Sequence, residues 1–83
     1  ESMTGAGILP GDYVIVNSGA AVRNGQIAAC QIGDEATVKR VDIQKSKVVL
    51  HPENPDYADI IVDKKSDEFA FIGPVIGVMR RVK

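Results

Sequence analysis

Two side chains in this sequence have the types needed for hydrolysis, and they lie far apart along the chain. Ser2 opens a glycine-rich turn region running to Asp12, and Lys39 lies within Thr37-Val38-Lys39-Arg40. A serine hydroxyl is a weak nucleophile until a neighbouring base takes its proton. Lysine can be that base only when uncharged, and complete burial lowers an amine pKa by as much as ~3–5 units. A Ser-Lys pair is one of the convergent forms of the serine triad. Its chemistry is acyl transfer, including peptide hydrolysis.

Strand periodicity directs Lys39 inward. Side chains on a strand alternate between faces. Across Ala36 to Gln44, Thr37, Lys39, Val41 and Ile43 share one face, while Arg40, Asp42 and Gln44 share the other. Lysine is seldom buried without a partner, so this phase marks Lys39 as a candidate general base. Thr37, on the same face, is placed to hydrogen-bond the amine and hold its direction. The bland alternative is a lysine that snorkels to water along its apolar stem, and Val38 on the opposite face blurs the alternation. Ser2 taken alone also fits a solvated turn. Met3 reads as core filler, at most a supporting neighbour of Ser2.

Other candidates are weaker. His51 begins the loop His51-Pro52-Glu53-Asn54-Pro55-Asp56 and reads as solvated, although a Ser2–His51 pair stays open. Cys30 sits in the apolar run Ile27-Ala28-Ala29-Cys30-Gln31-Ile32 and reads as a buried structural thiol. One cysteine excludes an internal disulfide and a thiolate metal cage, and neither a metal nor another cofactor is expected. Asp34-Glu35 and Asp67-Glu68 read as solvated hairpin tips. Gly5 and Gly7 lack the spacing of a phosphate-binding loop.

The elements that must position Ser2 and Lys39 are strands. Tyr13-Val14-Ile15-Val16 is a short β-branched run after Gly11-Asp12. Asn24-Gly25 predicts a type I′ turn. Gln26 to Ile32 is apolar on both faces and predicts a central strand. Gly33-Asp34-Glu35 connects it to the long strand Ala36 to Gln44, and Lys45-Ser46 leads into Lys47-Val48-Val49-Leu50. Ile60-Ile61-Val62 is a further strand. Phe69 to Val82 is a last extended segment, broken at Gly73-Pro74 by a bulge or bend. No helix is predicted. The fold class is all-β: a compact, strongly bent, barrel-like sheet of short antiparallel strands.

The chain has 83 residues, which predicts one domain. Ten Lys and Arg against eleven Asp and Glu leave a net charge of -1, which speaks against a dedicated nucleic-acid surface. Arg80-Arg81-Lys83 reads as a solvated chain end. No apolar run approaches the ~20 residues of a membrane span, and the cysteine usage suggests a reducing, cytoplasmic setting.

Several blocks together carry a family resemblance. They are Glu1-Ser2-Met3, Gly7 to Val16, Val22-Arg23-Asn24-Gly25-Gln26, Gly33 to Arg40, Leu50-His51-Pro52-Glu53-Asn54 and Gly77-Val78-Met79-Arg80. In this order they resemble the C-terminal peptidase domain of LexA-type repressors, the family that includes UmuD and some phage repressors. The stretch Val22 to Arg40 is more similar to LexA than to UmuD. The resemblance implies a Ser-Lys dyad, with Ser2 as nucleophile and Lys39 as general base. It implies self-cleavage at an upstream Ala-Gly bond, favoured by a RecA filament on single-stranded DNA and relieving repression of DNA-damage genes. It also implies a homodimer, with C-terminal strands at the interface. Phe69 to Val78 is the candidate segment, although its pattern fits monomer core equally well. Residues 1–83 are then expected to be a fragment, the peptidase and dimerisation domain. The operator-binding domain and the cleavage-site loop would lie upstream of Glu1. Two relatives by chemistry or fold compete: a UmuD-like polymerase accessory protein, and a non-cleaving phage-repressor dimerisation module. A type I signal peptidase shares the serine–lysine logic but would need a membrane anchor.

Overall fold

A computed structural model describes residues 1–82. Six strands form one antiparallel sheet: β1 (Tyr13–Val16), β2 (Ile27–Ile32), β3 (Glu35–Ile43), β4 (Lys47–His51), β5 (Ile60–Asp63) and β6 (Phe69–Met79). Their spatial order is β1-β6-β2-β3-β4-β5, so β1 and β5 are the two outer strands. The only helical element among the described residues is a 3₁₀ turn over Thr4–Ala6. Lys83 lies outside the described residues. Among those residues no helix is long and apolar enough to cross a membrane.

The apolar, two-faced β2 is interior, flanked by β3 and β6. It joins β3 through Gly33-Asp34, with Gly33 at φ 56, a left-handed angle that glycine adopts without a Cβ clash. β3 and β4 form the next hairpin, closed by the Gln44 N–H donating to the Lys47 carbonyl at 2.9 Å. Asn24-Gly25 departs from its predicted type I′ geometry. Gly25 has φ 84 but, among the described residues, no non-glycine residue has positive φ, and the Gln26 N–H donates to the Arg23 carbonyl at 3.2 Å. That is the pattern of a type II turn. Instead of joining two paired strands, this turn braces β3: the Gly25 N–H donates to Val41 O at 2.9 Å and Asn24 Oδ1 accepts from the Ile43 N–H at 2.8 Å.

β6 is the long strand, and it changes partner along its length. Its first part pairs with β2 and its second with β1, with register shifts opposite Ala29/Cys30 and Ile15/Val16. The change occurs at Gly73-Pro74, where a break was expected. Proline brings no N–H to the ladder, and a Cβ on Gly73 would collide with the Asn17 carbonyl oxygen. β6 is therefore an interior strand, and the edge on that side is β1. The segment Phe69 to Val78 considered for the dimer interface lies between β1 and β2 in the strand order, each pairing with one part of it. The side chains of β6 are still uncovered in places: Ile76, Val78 and Met79 are exposed, beside Tyr13 and Ile15 of β1.

Cross-strand neighbours share a face, and the register therefore writes out the core. Val41 faces Leu50, Ile43 faces Val48, Lys39 faces Ala28 and Thr37 faces Cys30. Ala28, Cys30, Val41, Val48 and Leu50 are buried as one cluster, with Ile32, Ile43, Val62 and Phe69 packed against it. Lys39 continues the same row and is itself 8% exposed. The small Ala28 opposite it leaves room for the lysine stem.

This core has few members, so each carries a large share of stability. Leu50→Ala is expected to cost ~2–5 kcal/mol, read as a lower urea midpoint. Ile61→Ala, on the exposed outer face of β5, should change stability by no more than ~0.5 kcal/mol.

Candidate active site

The segment bearing Ser2 belongs to no strand. Met3 anchors it: its side chain is 4% exposed, and its carbonyl accepts from the Ala6 N–H at 3.1 Å and the Ile8 N–H at 3.2 Å. Gly7 leaves the 3₁₀ turn at φ 81. Downstream, Leu9-Pro10-Gly11-Asp12 is a tight turn in which the Asp12 N–H donates to Leu9 O at 3.0 Å. The Asp12 carboxylate returns the favour by accepting the Leu9 N–H at 2.9 Å. Arg80 grips that carboxylate with two N–H groups, at 2.9 and 2.6 Å, and donates to Gly7 O at 3.0 Å. Arg80 is thus an ion-paired clamp on the turn, where a freely solvated side chain was expected. The fork holds Asp12 below the usual carboxylate range.

Ser2 and Lys39, 37 positions apart, meet. Lys39 Nζ lies 2.7 Å from Ser2 Oγ, 2.9 Å from Thr37 Oγ1 and 3.2 Å from Val38 O. A neutral amine has two N–H groups and one lone pair. Val38 O can only accept, and Thr37 Oγ1 can accept the second N–H. The lone pair is then left for the Ser2 hydroxyl proton. None of the three partners is a carboxylate. Burial pushes the Lys39 pKa down, opposed only by the nearby Cys30 thiol. Cys30 is fully buried, and burial raises its pKa to about 11. It is therefore a poor nucleophile at neutral pH.

A cleft of about 240 Å³ opens over the pair, lined by Glu1, Ser2, Met3, Ile8, Leu9, Pro10 and residues Ala36 to Lys39 of β3. β4 pairs with β3 only from Arg40 onward, so Glu35 to Lys39 have one free backbone edge beside this cleft. Of the N–H groups around the serine, those of Thr4, Gly5, Ala6, Gly7 and Ile8 are all committed. Those of Ser2 and Met3 have no partner among the described residues.

His51 ends β4 and its side chain stays 39% exposed, but the ring is held: Nδ1 is 2.8 Å from Asp59 Oδ1 and Nε2 is 3.8 Å from Asp42 Oδ2. The expected solvation holds in part, while the strand position and the two acidic neighbours were not foreseen. The loop after it does something the sequence did not reveal. Asn54 and Glu53 hold the Ser2 segment, and Arg40 holds Glu53. Local pattern could not signal this, because the partners are roughly 50 residues apart.

The Peptidase S24-like family matches residues 1–76. The chain belongs to that family of serine peptidases. It is similar to LexA repressors: 49% identical over 79 residues to that of Bordetella pertussis, covering 95% of this chain and 36% of the relative. To the LexA repressor of Marinomonas it is 50% identical over 80 residues, covering 96% and 39%. To that of Frankia alni it is 42% identical over 82 residues, covering 99% and 31%. The chain spans about a third of the length of these curated relatives.

A buried amine with a lowered pKa links stability to pH. Between its folded value and the ordinary lysine value of 10.5, the unfolded chain binds more protons than the folded one. Stability therefore rises with pH across that interval. Lys39→Met should flatten this rise in urea unfolding measured from pH 7 to pH 9. An unchanged slope would mean that Lys39 is solvated in the folded state.

Proposed function

We propose that residues 1–83 are the C-terminal peptidase and dimerisation domain of an SOS transcriptional repressor of the LexA type. The observation that carries this reading is the 2.7 Å approach of Lys39 Nζ to Ser2 Oγ, at an amine whose burial favours its neutral form. The similarity to LexA repressors across 95% of the chain supports it.

In the proposed reaction Lys39 Nζ takes the Ser2 proton as Oγ attacks the carbonyl carbon of an Ala-Gly bond upstream in the same polypeptide. The free Ser2 and Met3 N–H groups are placed to hold the oxyanion, as preorganised donors do in acyl transfer. The Lys39 ammonium then gives its proton to the leaving amine, which breaks the C–N bond and leaves an acyl-Ser2 ester. A water deprotonated by Lys39 releases it. Thr37 and Val38 O direct the amine throughout. The free edge of β3 beside the cleft suits an extended segment, which would add to the sheet as a further strand. A RecA filament on single-stranded DNA would act by favouring the conformation in which that segment enters the cleft. Operator DNA would be bound by an upstream domain and not by this one, in the cytoplasm.

Cleavage of the intact protein, or of an added Ala-Gly peptide, should rise with pH as Lys39 loses its proton. Ser2→Ala should abolish it, and Lys39→Ala should slow it by ~10²–10⁴-fold. Cleavage unchanged in either variant removes the dyad. A wild type inert at every pH favours the non-cleaving dimerisation module.

The homodimer is proposed to form over the uncovered residues of β1 and β6. Tyr13 is 69% exposed and Ile76 65%, a concentration of apolar surface that a monomer gains by covering. The wild type should sediment as a dimer at micromolar concentration and Ile76→Glu as a folded monomer.

A further inference from the structure

No strand ladder fixes the backbone that carries Ser2, yet its hydroxyl must sit within a few tenths of an ångström of its place beside Lys39. The loop after β4 supplies the constraint. Asn54 Nδ2 donates to Glu1 O at 3.0 Å and lies 3.3 Å from Thr4 Oγ1, so one amide group grips the chain on both sides of Ser2. Asn54 Oδ1 meanwhile accepts the Asp56 N–H at 2.9 Å. That bond fixes which end of the amide faces the serine segment. Next to it, the Gly5 N–H donates to Glu53 O at 2.6 Å. The backbones are so close there that a Cβ on Gly5 would collide with the Glu53 carbonyl. Glu53 is in turn ion-paired with Arg40, the residue after Lys39 on β3.

The geometry points to Asn54 as a positioning residue for Ser2. Its amide holds the Glu1 carbonyl on one side of Ser2 and the Thr4 hydroxyl on the other, and thereby sets the Oγ–Nζ approach. β3 thus governs both partners: Lys39 directly, and Ser2 through Arg40, Glu53 and the Asn54 loop. This inference rests on the Ser-Lys reading of the site.

The test is the rate at which an aryl sulfonyl fluoride modifies Ser2 in the intact protein, followed by mass spectrometry across pH. The variants are Asn54→Ala, Asn54→Asp and each combined with Lys39→Ala. Asn54→Asp keeps the acceptor for the Asp56 N–H but loses both donors, so it is read alone if Asn54→Ala fails to fold. The high-pH plateau should fall ~10–100-fold in samples that circular dichroism shows to be folded. In Asn54→Ala the pH midpoint should not move, because the burial of Lys39 is untouched and no charge is added. In the Lys39→Ala background the Asn54 substitutions should cost nothing further, since both act on one step. A folded Asn54→Asp that reacts at the wild-type rate, or losses that multiply across the two sites, overturns the positioning role. Wild type and Lys39→Ala reacting equally fast would overturn the Ser-Lys reading instead, and the inference with it.

Discussion

An amine taken out of water beside a hydroxyl is the constraint around which this small sheet is arranged. Lysine is strongly hydrated, and burying its charge without a counter-ion is costly. The structure offers Lys39 two hydroxyls and a carbonyl, which satisfy a neutral amine and give a charged one no opposing charge. The neutral form is therefore favoured by the same packing that builds the core. Val41 and Leu50 bury the row that Lys39 continues, so the core and the site are one piece of architecture.

The second half of the pair is held by other means. Ser2 sits in an irregular segment, and irregular segments have little to order them. Here the order comes from three independent ties. Met3 is sunk into the core, Arg80 clamps the Asp12 turn and Gly7, and the Asn54 loop grips the backbone around Ser2. Two of these ties join distant segments: Arg80 and Asp12 are 68 residues apart, Asn54 and Glu1 53. The local turns shape this corner, and these long-range ties, which exist only once the sheet has formed, hold it in place.

β6 shows how one strand can close such an arrangement. At Gly73-Pro74 it leaves β2 for β1 without a loop. Bulges at the change of partner turn the strand and increase its twist, which brings Arg80 at its far end back over the turn that begins at Leu9. The same change of partner makes β6 interior. The apolar residues left uncovered belong to β1 and to the part of β6 paired with it.

Much of the arrangement was legible in the sequence because it depends on short-range regularities. Period-two alternation placed Lys39, Thr37 and Val41 on one face, and Lys39 and Val41 are buried on either side of the half-buried Arg40, while Thr37 and Val38 are half-buried alike. The two-faced apolar run marked β2 as central, and Gly73-Pro74 marked the disturbance in β6. Some features depended on which strand lies beside which. The Asn24-Gly25 dipeptide suggested a type I′ turn, but the turn that forms meets a carbonyl and an N–H of β3. The ring of His51 was fixed by Asp59, and Arg80 by Asp12, 68 residues away. Asn54 carried no local sign of its grip on Glu1 and Thr4. By itself the sequence determined which residues alternate, which turn and which one lysine is out of place among aliphatics, because those properties are written in neighbours along the chain. Only the tertiary structure decided that the lysine meets Ser2 and what holds the serine there, because hydrogen bonds between distant segments depend on register and loop path, which no local pattern encodes.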